Sequence, residues 1–162
     1  MHRSPRVANI RHSAGMPHSE TSVTVLLVSP FDEDREELRR MFNGFGHFDW
    51  RIRLTRTCQE AWMALREEQV DAVIAERDFP DGLTWRELLG EVADMGALLP
   101  VIVATRRADH RLWAEFLSLG GYDLLMKPFE PEETVRVLAM AVRRAQKARQ
   151  ARPRRAVAAA FA

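Results

Sequence analysis

The sequence lacks the features of several protein classes. It has one cysteine, Cys58, and so can form no internal disulfide, which suits a reducing compartment and leads us to expect a cytoplasmic location. No apolar run approaches the roughly 20 residues that a membrane-spanning helix needs, so we expect no membrane partner. The five histidines are scattered, and no cluster of histidines, cysteines or paired carboxylates indicates a metal site. We therefore predict no metal, no cofactor and no enzymatic activity.

Charge is unevenly distributed along the chain. Residues 22–142 carry 14 basic and 22 acidic side chains, whereas residues 143–162 carry seven basic side chains and no acidic one. Residues 1–21 have no usable periodicity and are rich in proline, serine and histidine, so we predict a flexible leader, in which Met16 is an alternative start to Met1. These patterns predict a folded domain over 22–145 and a basic, disordered tail over 146–162.

Short apolar runs alternate with helical patterns through the central region. We interpret five segments as strands: Val23–Val28, Trp50–Thr57, Val70–Ala75, Val101–Thr105 and Asp123–Met126. Apolar residues at helical spacing follow each strand. Because parallel strands need crossover helices, the alternation predicts an α/β fold with a doubly wound, five-stranded parallel sheet and five helices. Ligand chemistry in such folds lies at the carboxyl ends of the strands.

Four segments carry a resemblance to a known family. They are Leu26–Val28 with the acidic helix start that follows it, Phe79–Leu83, Pro100–Thr105 and Gly120–Phe129. In their order and spacing they resemble the receiver domain of bacterial two-component response regulators. The resemblance covers residues 23–145, and it implies a flavodoxin-like (βα)5 fold and a role in phosphorelay signal transduction.

The resemblance also implies a phosphorylation pocket, which this sequence retains only in part. In the family, an aspartate after the third strand accepts a phosphoryl group, two acids after the first strand hold Mg²⁺, and a hydroxyl residue and a lysine bind the phosphoryl oxygens. Thr105 and Lys127 match the last two positions, but Glu76 stands at the acceptor and Ser29 and Pro30 at the acidic pair. One carboxylate is a poor Mg²⁺ site, and the extra methylene of glutamate displaces the carboxylate. We predict a degenerate receiver that is not phosphorylated.

Two interpretations of Glu76 remain open. It either neutralises Lys127 in an inert ion pair, or reaches both Thr105 and Lys127 and imitates a phosphorylated aspartate. The resemblance places the aromatic switch residue of the family at Leu124, which has no hydroxyl group. We therefore favour the inert pair.

Other acidic residues offer substitutes for the missing carboxylates. Asp78 is an alternative phosphoacceptor, although its spacing from Pro80 places it in a loop. Asp32 and Asp34 lie where acids favour the positive end of a helix dipole, and we interpret them as first-turn helix residues rather than pocket residues.

The expected mode of action is contact with a protein partner, which is a kinase, an effector or a second copy of the chain. In receivers the output face comprises the fourth helix, fifth strand and fifth helix, so the resemblance directs attention to Trp113, Arg111 and Tyr122 as a candidate interaction face. The alternative is nonspecific nucleic-acid binding through the basic residues of 143–155. No helix-turn-helix pattern is present, and we expect at most weak binding of this kind.

Overall fold

Five strands and five helices alternate along the chain in the computed structural model, which describes residues 21–44, 48–96, 98–107 and 109–151. The strands are β1 (Ser22–Val28), β2 (Asp49–Thr55), β3 (Ala72–Glu76), β4 (Val101–Thr105) and β5 (Asp123–Met126). The helices are α1 (Asp32–Phe42), α2 (Cys58–Glu67), α3 (Trp85–Asp94), α4 (His110–Ser118) and α5 (Pro131–Ala151). No helix in these ranges is long and apolar enough to cross a membrane.

The strands form one parallel sheet in the order β2-β1-β3-β4-β5. The predicted five-stranded parallel fold is therefore confirmed. The chain first moves outward from β1 to β2 and then returns to build β3, β4 and β5 on the other side of β1. This reversal makes β1 and β3 adjacent and opens a crevice between the loops that follow them, while the parallel direction of all five strands places their carboxyl ends at one edge of the sheet.

Two hydrophobic clusters cover the two faces of the sheet. Alternation along β1 sends Leu26 and Val28 toward α2, α3 and α4, and Val25 and Leu27 toward α1 and α5. All four side chains are at most 1% exposed, because each face of this central strand is covered by helices. This burial on both faces explains why β1 is a continuous apolar run in the sequence.

The end of α5 differs from the sequence prediction. We placed the domain boundary at residue 145 and a disordered tail after it, but the helix continues to Ala151. Ala145 is buried, and Arg149 lies 3.7 Å from the carboxylate of Asp71, which also accepts a 2.8 Å hydrogen bond from the backbone of Thr24. The basic end of α5 is thus held in place by the burial of Ala145 and by the contact of Arg149 with Asp71. Residues 1–20 of the predicted leader and 152–162 of the predicted tail lie outside the described residues.

The last turn of α4 depends on two successive glycines. Gly120 has a φ of +96°, a conformation that favours glycine, and its amide donates to the carbonyl of Leu117. The amide of Gly121 donates to the carbonyl of Phe116, which completes a Schellman motif. A Cβ at Gly121 would overlap the ring of Phe116, a fully buried side chain that packs edge-on against Trp85 at 5.4 Å.

We expect Gly121→Ala to lower the free energy of unfolding by about 1–3 kcal/mol, because the new methyl group displaces a buried aromatic ring. Urea denaturation measures the change. Gly90→Ala is the matched control: Gly90 lies in the exposed interior of α3 with open space around it, and alanine there should add about 0.5–1 kcal/mol. Equal effects of the two substitutions would contradict the proposed overlap.

Candidate functional site

Four of the residues singled out in the sequence meet at the carboxyl edge of the sheet. Ser29 follows β1, Glu76 and Thr105 end β3 and β4, and Lys127 follows β5. Backbone hydrogen bonds continue the sheet past the strand ends, from Lys127 to Thr105 and from Ser29 to Thr55, each 2.9 Å long. The side chains at this edge are therefore fixed by the register of the sheet.

Lys127 follows the outermost strand, β5, and its side chain extends along the carboxyl edge toward β3 and is only 3% exposed. Its ammonium nitrogen Nζ contacts a carboxylate oxygen of Glu76, so the ion pair predicted from the sequence is present. The same Nζ lies 2.5 Å from Oδ2 of Asp34. One buried cation is thus shared by two carboxylates, and the three side chains together carry one negative charge.

The position of Asp34 corrects the sequence interpretation. We interpreted this residue as a first-turn helix acid rather than a pocket residue. It does lie in the first turn of α1, but it is 4% exposed, and its Oδ2 accepts a 2.7 Å hydrogen bond from Oγ of Ser29. The signal was present in the sequence, because Asp34 precedes Leu38 by four residues and Phe42 by eight and therefore lies on the buried face of α1. The pocket contains two carboxylates where we counted one.

Aromatic and basic side chains border this cluster. The rings of Phe31 and Phe129 lie 5.2 and 5.9 Å from Lys127 Nζ, within reach of a cation–π interaction. Arg56 contacts Asp32 at 2.5 Å and donates a 3.2 Å hydrogen bond to the carbonyl of Pro30. These contacts tie the loop before α2 to the loop before α1.

The other pocket residues do not join the ion pairs. The hydroxyl of Thr105 lies 3.2 Å from both the amide and the carbonyl of Arg107, and no hydrogen bond joins it to Glu76 in the described part of the chain. Asp78 is exposed, and its backbone pairs with Thr84 in an isolated bridge of the loop before α3. The structure thus places Asp78 in a loop, as its spacing predicted.

The described residues do not fit a bound Mg²⁺ ion. Mg²⁺ needs several oxygen ligands in near-octahedral geometry. Ser29 and Pro30 supply no carboxylate, and the carboxylates of Asp34 and Glu76 both contact the ammonium group of Lys127. Within residues 21–44, 48–96, 98–107 and 109–151, no three acidic, histidine or cysteine side chains form a metal-binding group.

Comparison with known proteins supports the family suggested by the residues. A model of the response regulator receiver domain matches residues 25–139. The chain belongs to this family. It is similar to a response regulator from Chloroflexus aurantiacus, with 26% identity and a TM-score of 0.68 over 76% of this chain and 99% of that one. It also shares the fold of the receiver domain of an HD domain-containing protein from Pseudomonas fluorescens, with 20% identity, a TM-score of 0.71, and coverage of 85% of this chain and 98% of that one.

Two curated relatives are longer than this chain. The two-component response regulator ARR12 of Arabidopsis thaliana is 30% identical over 69% of this chain and 19% of its own length. The response regulator MprA of Mycolicibacterium vanbaalenii is 31% identical over 75% of this chain and 51% of its own length. The chain therefore spans about half or less of the curated relatives it matches. The receiver domain shared with them functions in signal transduction.

The candidate interaction face of the receiver is split in the structure. Trp113 is 48% exposed and lines a surface cleft of about 390 Å³ with Leu124 and Met126. Arg111 instead borders a cleft between α3 and α4, and Tyr122 lies at the opposite, amino end of β5. Residues 111 and 113 point to different sides of a helix. Of the three residues that we grouped as one face, Trp113 is therefore the one that lines the cleft with Leu124 and Met126.

The single cysteine has no features of a nucleophile. Cys58 is fully buried at the start of α2, and burial raises the pKa of its thiol to about 12, with a smaller contribution from Asp81. A thiol with such a pKa is almost entirely protonated near neutral pH. Its role is packing in the core beneath α2 and α3.

We expect Lys127→Met to lower the free energy of unfolding by about 3–5 kcal/mol, because it leaves two buried carboxylates unpaired. Urea denaturation gives the value. Lys147→Met is the matched control, since Lys147 is exposed on α5, and it should change stability little.

The charge explanation has its own check. The combined variant Asp34→Leu, Glu76→Met and Lys127→Met removes all three charges and should recover most of the stability lost in Lys127→Met. If the combined variant is no more stable than Lys127→Met, the loss arises from packing and not from unpaired carboxylates.

Proposed function

We propose that this receiver domain signals without phosphorylation and acts by contact with protein partners. The observation that carries the proposal is the double ion pair of Lys127 with Asp34 and Glu76. Phosphoryl transfer to a carboxylate requires a cation to neutralise the nucleophile and the phosphoryl oxygens. Here the lysine is the counterion of two carboxylates, and the residues at positions 29 and 30 add no carboxylate ligand for a divalent metal.

The nature of the glutamate adds a second argument. Glu76 extends its carboxylate one methylene further than an aspartate does, and a displacement of about 1 Å costs on the order of 100-fold in a positioned reaction. The contacts of Thr105 favour an inert ion pair over an imitation of the phosphorylated state, because its hydroxyl bonds the backbone of Arg107 and not the glutamate. Leu124 at the switch position is consistent with the same interpretation.

We expect no stoichiometric acid-labile phosphoryl adduct after treatment with a small phosphodonor such as acetyl phosphate, with or without Mg²⁺. Intact-protein mass spectrometry measures the adduct. An Mg²⁺-dependent adduct that persists in Asp78→Asn but disappears in Glu76→Gln would overturn the proposal. An adduct that disappears in Asp78→Asn would establish Asp78 as the acceptor and would overturn the proposal as well.

A positive control shows that the assay can detect transfer on this scaffold. The variant Ser29→Asp, Pro30→Asp and Glu76→Asp restores the acids that the family resemblance implies. It should yield an Mg²⁺-dependent adduct on residue 76, at a rate on the order of 100-fold or more above the unaltered chain.

The proposed contact surface is the cleft of Trp113, Leu124 and Met126. Trp113 and Met126 are each about half exposed, at 48% and 50%, and they lie on adjacent elements, α4 and β5. Exposed aromatic and methionine side chains beside a shallow cleft are typical anchors of protein interfaces. The partners we consider are a kinase, an effector and a second copy of the chain.

We expect a photo-crosslinking residue at position 113 to form protein adducts in cells, and Met126→Glu to abolish them. The same residue at position 63 is the control, because Met63 is at least as exposed as Trp113 but lies on α2, away from the cleft. Sedimentation velocity at increasing concentration then separates self-association from binding to another protein. Adducts at 63 but none at 113 would refute the surface.

Nucleic-acid binding through the basic end of the chain has less support. Arg143 lies over the ring of Phe48 at 5.4 Å, and Arg149 pairs with Asp71. The carboxylate of Asp71 offsets the charge of Arg149, which reduces the charge that α5 presents to phosphates.

A further inference from the structure

The outer side of β2 is an open edge of the sheet. β2 is the outermost strand on its side, and no other strand of the described residues pairs with its outer edge. Its register with β1 runs without a bulge over seven residues, and the strand contains no proline or glycine. The opposite edge is protected by its length, because β5 has only four residues. The edge of β2 is therefore the longer template for a further strand.

The direction of the backbone groups of β2 follows from one hydrogen bond. The carbonyl of Thr55 accepts from the amide of Ser29, on the side of β1. Because successive residues of a strand direct their backbone groups to opposite sides, the odd-numbered residues of β2 bond to β1. The even-numbered residues Trp50, Ile52 and Leu54 therefore direct their N–H and C=O groups outward. The open edge presents a row of unpaired donors and acceptors.

The side chains on the α1 face of this edge are apolar and only half-buried. They are Phe48, Trp50, Ile52 and Leu54, which all pack against the core cluster of α1 and α5. A cleft of about 260 Å³ between α1 and β2 is lined by Trp50 and Ile52. A strand added at this edge would continue the apolar row beside that cleft.

The side chains on the α2 face of β2 are charged and balance one another. Asp49 lies 3.7 Å from Arg51, and Glu68 lies 3.4 Å from Arg53, so these four residues carry no net charge. Their side chains are 42–69% exposed, and ion pairs of this kind contribute little to stability. The same charges are therefore available for pairing with a neighbouring strand of complementary order.

Charge favours one antiparallel register between two copies of β2. Pairing over all seven residues places Arg51 opposite Arg53 of the second copy at two positions, and like charges directly opposite are destabilising. A shift of two residues places Asp49 opposite Arg53 at both ends of a five-residue overlap, with Arg51 opposite its own copy at the two-fold axis. A further shift by two leaves only three residues of the strand paired.

The same register matches the apolar face of the edge. Trp50 lies opposite Ile52 of the second copy, and Phe48 lies opposite Leu54, so each pair joins an aromatic to an aliphatic side chain. The outward backbone groups of Trp50 and Ile52 then bond to each other across the two strands. A shift of one residue would instead place these apolar side chains against arginines.

We propose that two copies of this chain associate through the outer edges of β2, in the antiparallel register that pairs Asp49 with Arg53, and so join their two sheets into one. The contact lies at the opposite edge of the sheet from β5, and it leaves the cleft of Trp113 and Met126 accessible in each copy. This assignment does not depend on the proposed function.

Sedimentation velocity of the full chain at increasing concentration tests the association with charge variants. Asp49→Arg and Arg53→Glu each place like charges opposite each other, and we expect either one to raise the dissociation constant of the dimer on the order of 10-fold or more. An equimolar mixture of the two variants should recover the dimer, because each copy then supplies the charge that the other lacks. The double variant Asp49→Arg, Arg53→Glu should recover it for the same reason.

Cysteine cross-linking tests the register. At the two-fold axis the residues at position 51 form a pair with Cα atoms about 4.5 Å apart, within the range of a disulfide. We expect Arg51→Cys to form a disulfide-linked dimer under mild oxidation. Arg53→Cys is the matched control on the same face and should form little, because its two copies are offset by about 13 Å. Cys58 does not interfere, because its side chain is fully buried.

Several outcomes would overturn the proposal. A chain that stays monomeric at every concentration contradicts it, and so does a dimer that both single charge variants retain or that Met126→Glu dissolves. Cross-linking of Arg53→Cys at the rate of Arg51→Cys contradicts the register. If circular dichroism shows that a charge variant does not fold, Arg51→Cys decides the question alone, since absence of its cross-link excludes the contact.

Discussion

The ammonium group of Lys127 connects three parts of the fold that are far apart in sequence. It follows β5, and it pairs with Glu76 at the end of β3 and with Asp34 in the first turn of α1. Because all three side chains are largely buried, each depends on the others for neutralisation. The edge of the sheet at which receiver chemistry occurs is here a closed set of ion pairs, bordered by the rings of Phe31 and Phe129.

The ion-pair cluster fixes one arrangement of the carboxyl edge of the sheet but adds little to the free energy of unfolding. A buried ion pair contributes little net free energy, because desolvation offsets the attraction, but loss of one partner is costly. The loops after β1, β3 and β5 are therefore constrained to the geometry in which Lys127 has both carboxylates. A receiver with these constraints is suited to a fixed binding role, which is the physical basis of the proposed function.

Exposed apolar side chains line clefts at two separate places on the domain. Trp113 and Met126 are near the carboxyl edge, whereas Met95, Leu98 and Leu99 are at the amino edge beside the end of α5. The two ends of β5 show the same division, because this strand, from Asp123 to Met126, spans the sheet from its amino edge to its carboxyl edge. Tyr122 and Met126 consequently belong to different clefts, although only four residues separate them.

The sequence by itself determined the fold and the identities of the residues at the carboxyl edge. Buried strands alternate with amphipathic helices, and a parallel sheet brings strand ends together whatever the side chains are, so Glu76 and Lys127 were predictable neighbours. Tertiary structure decided the partners of Asp34: its spacing from Leu38 and Phe42 indicates the buried face of α1, but the contacts with Ser29 and Lys127 depend on how that helix packs on the sheet. It also decided how far α5 extends and which side of α4 is exposed, since both depend on what packs against the helix. Local pattern specifies the type of element, but the partner of each side chain is set by contacts across the sheet.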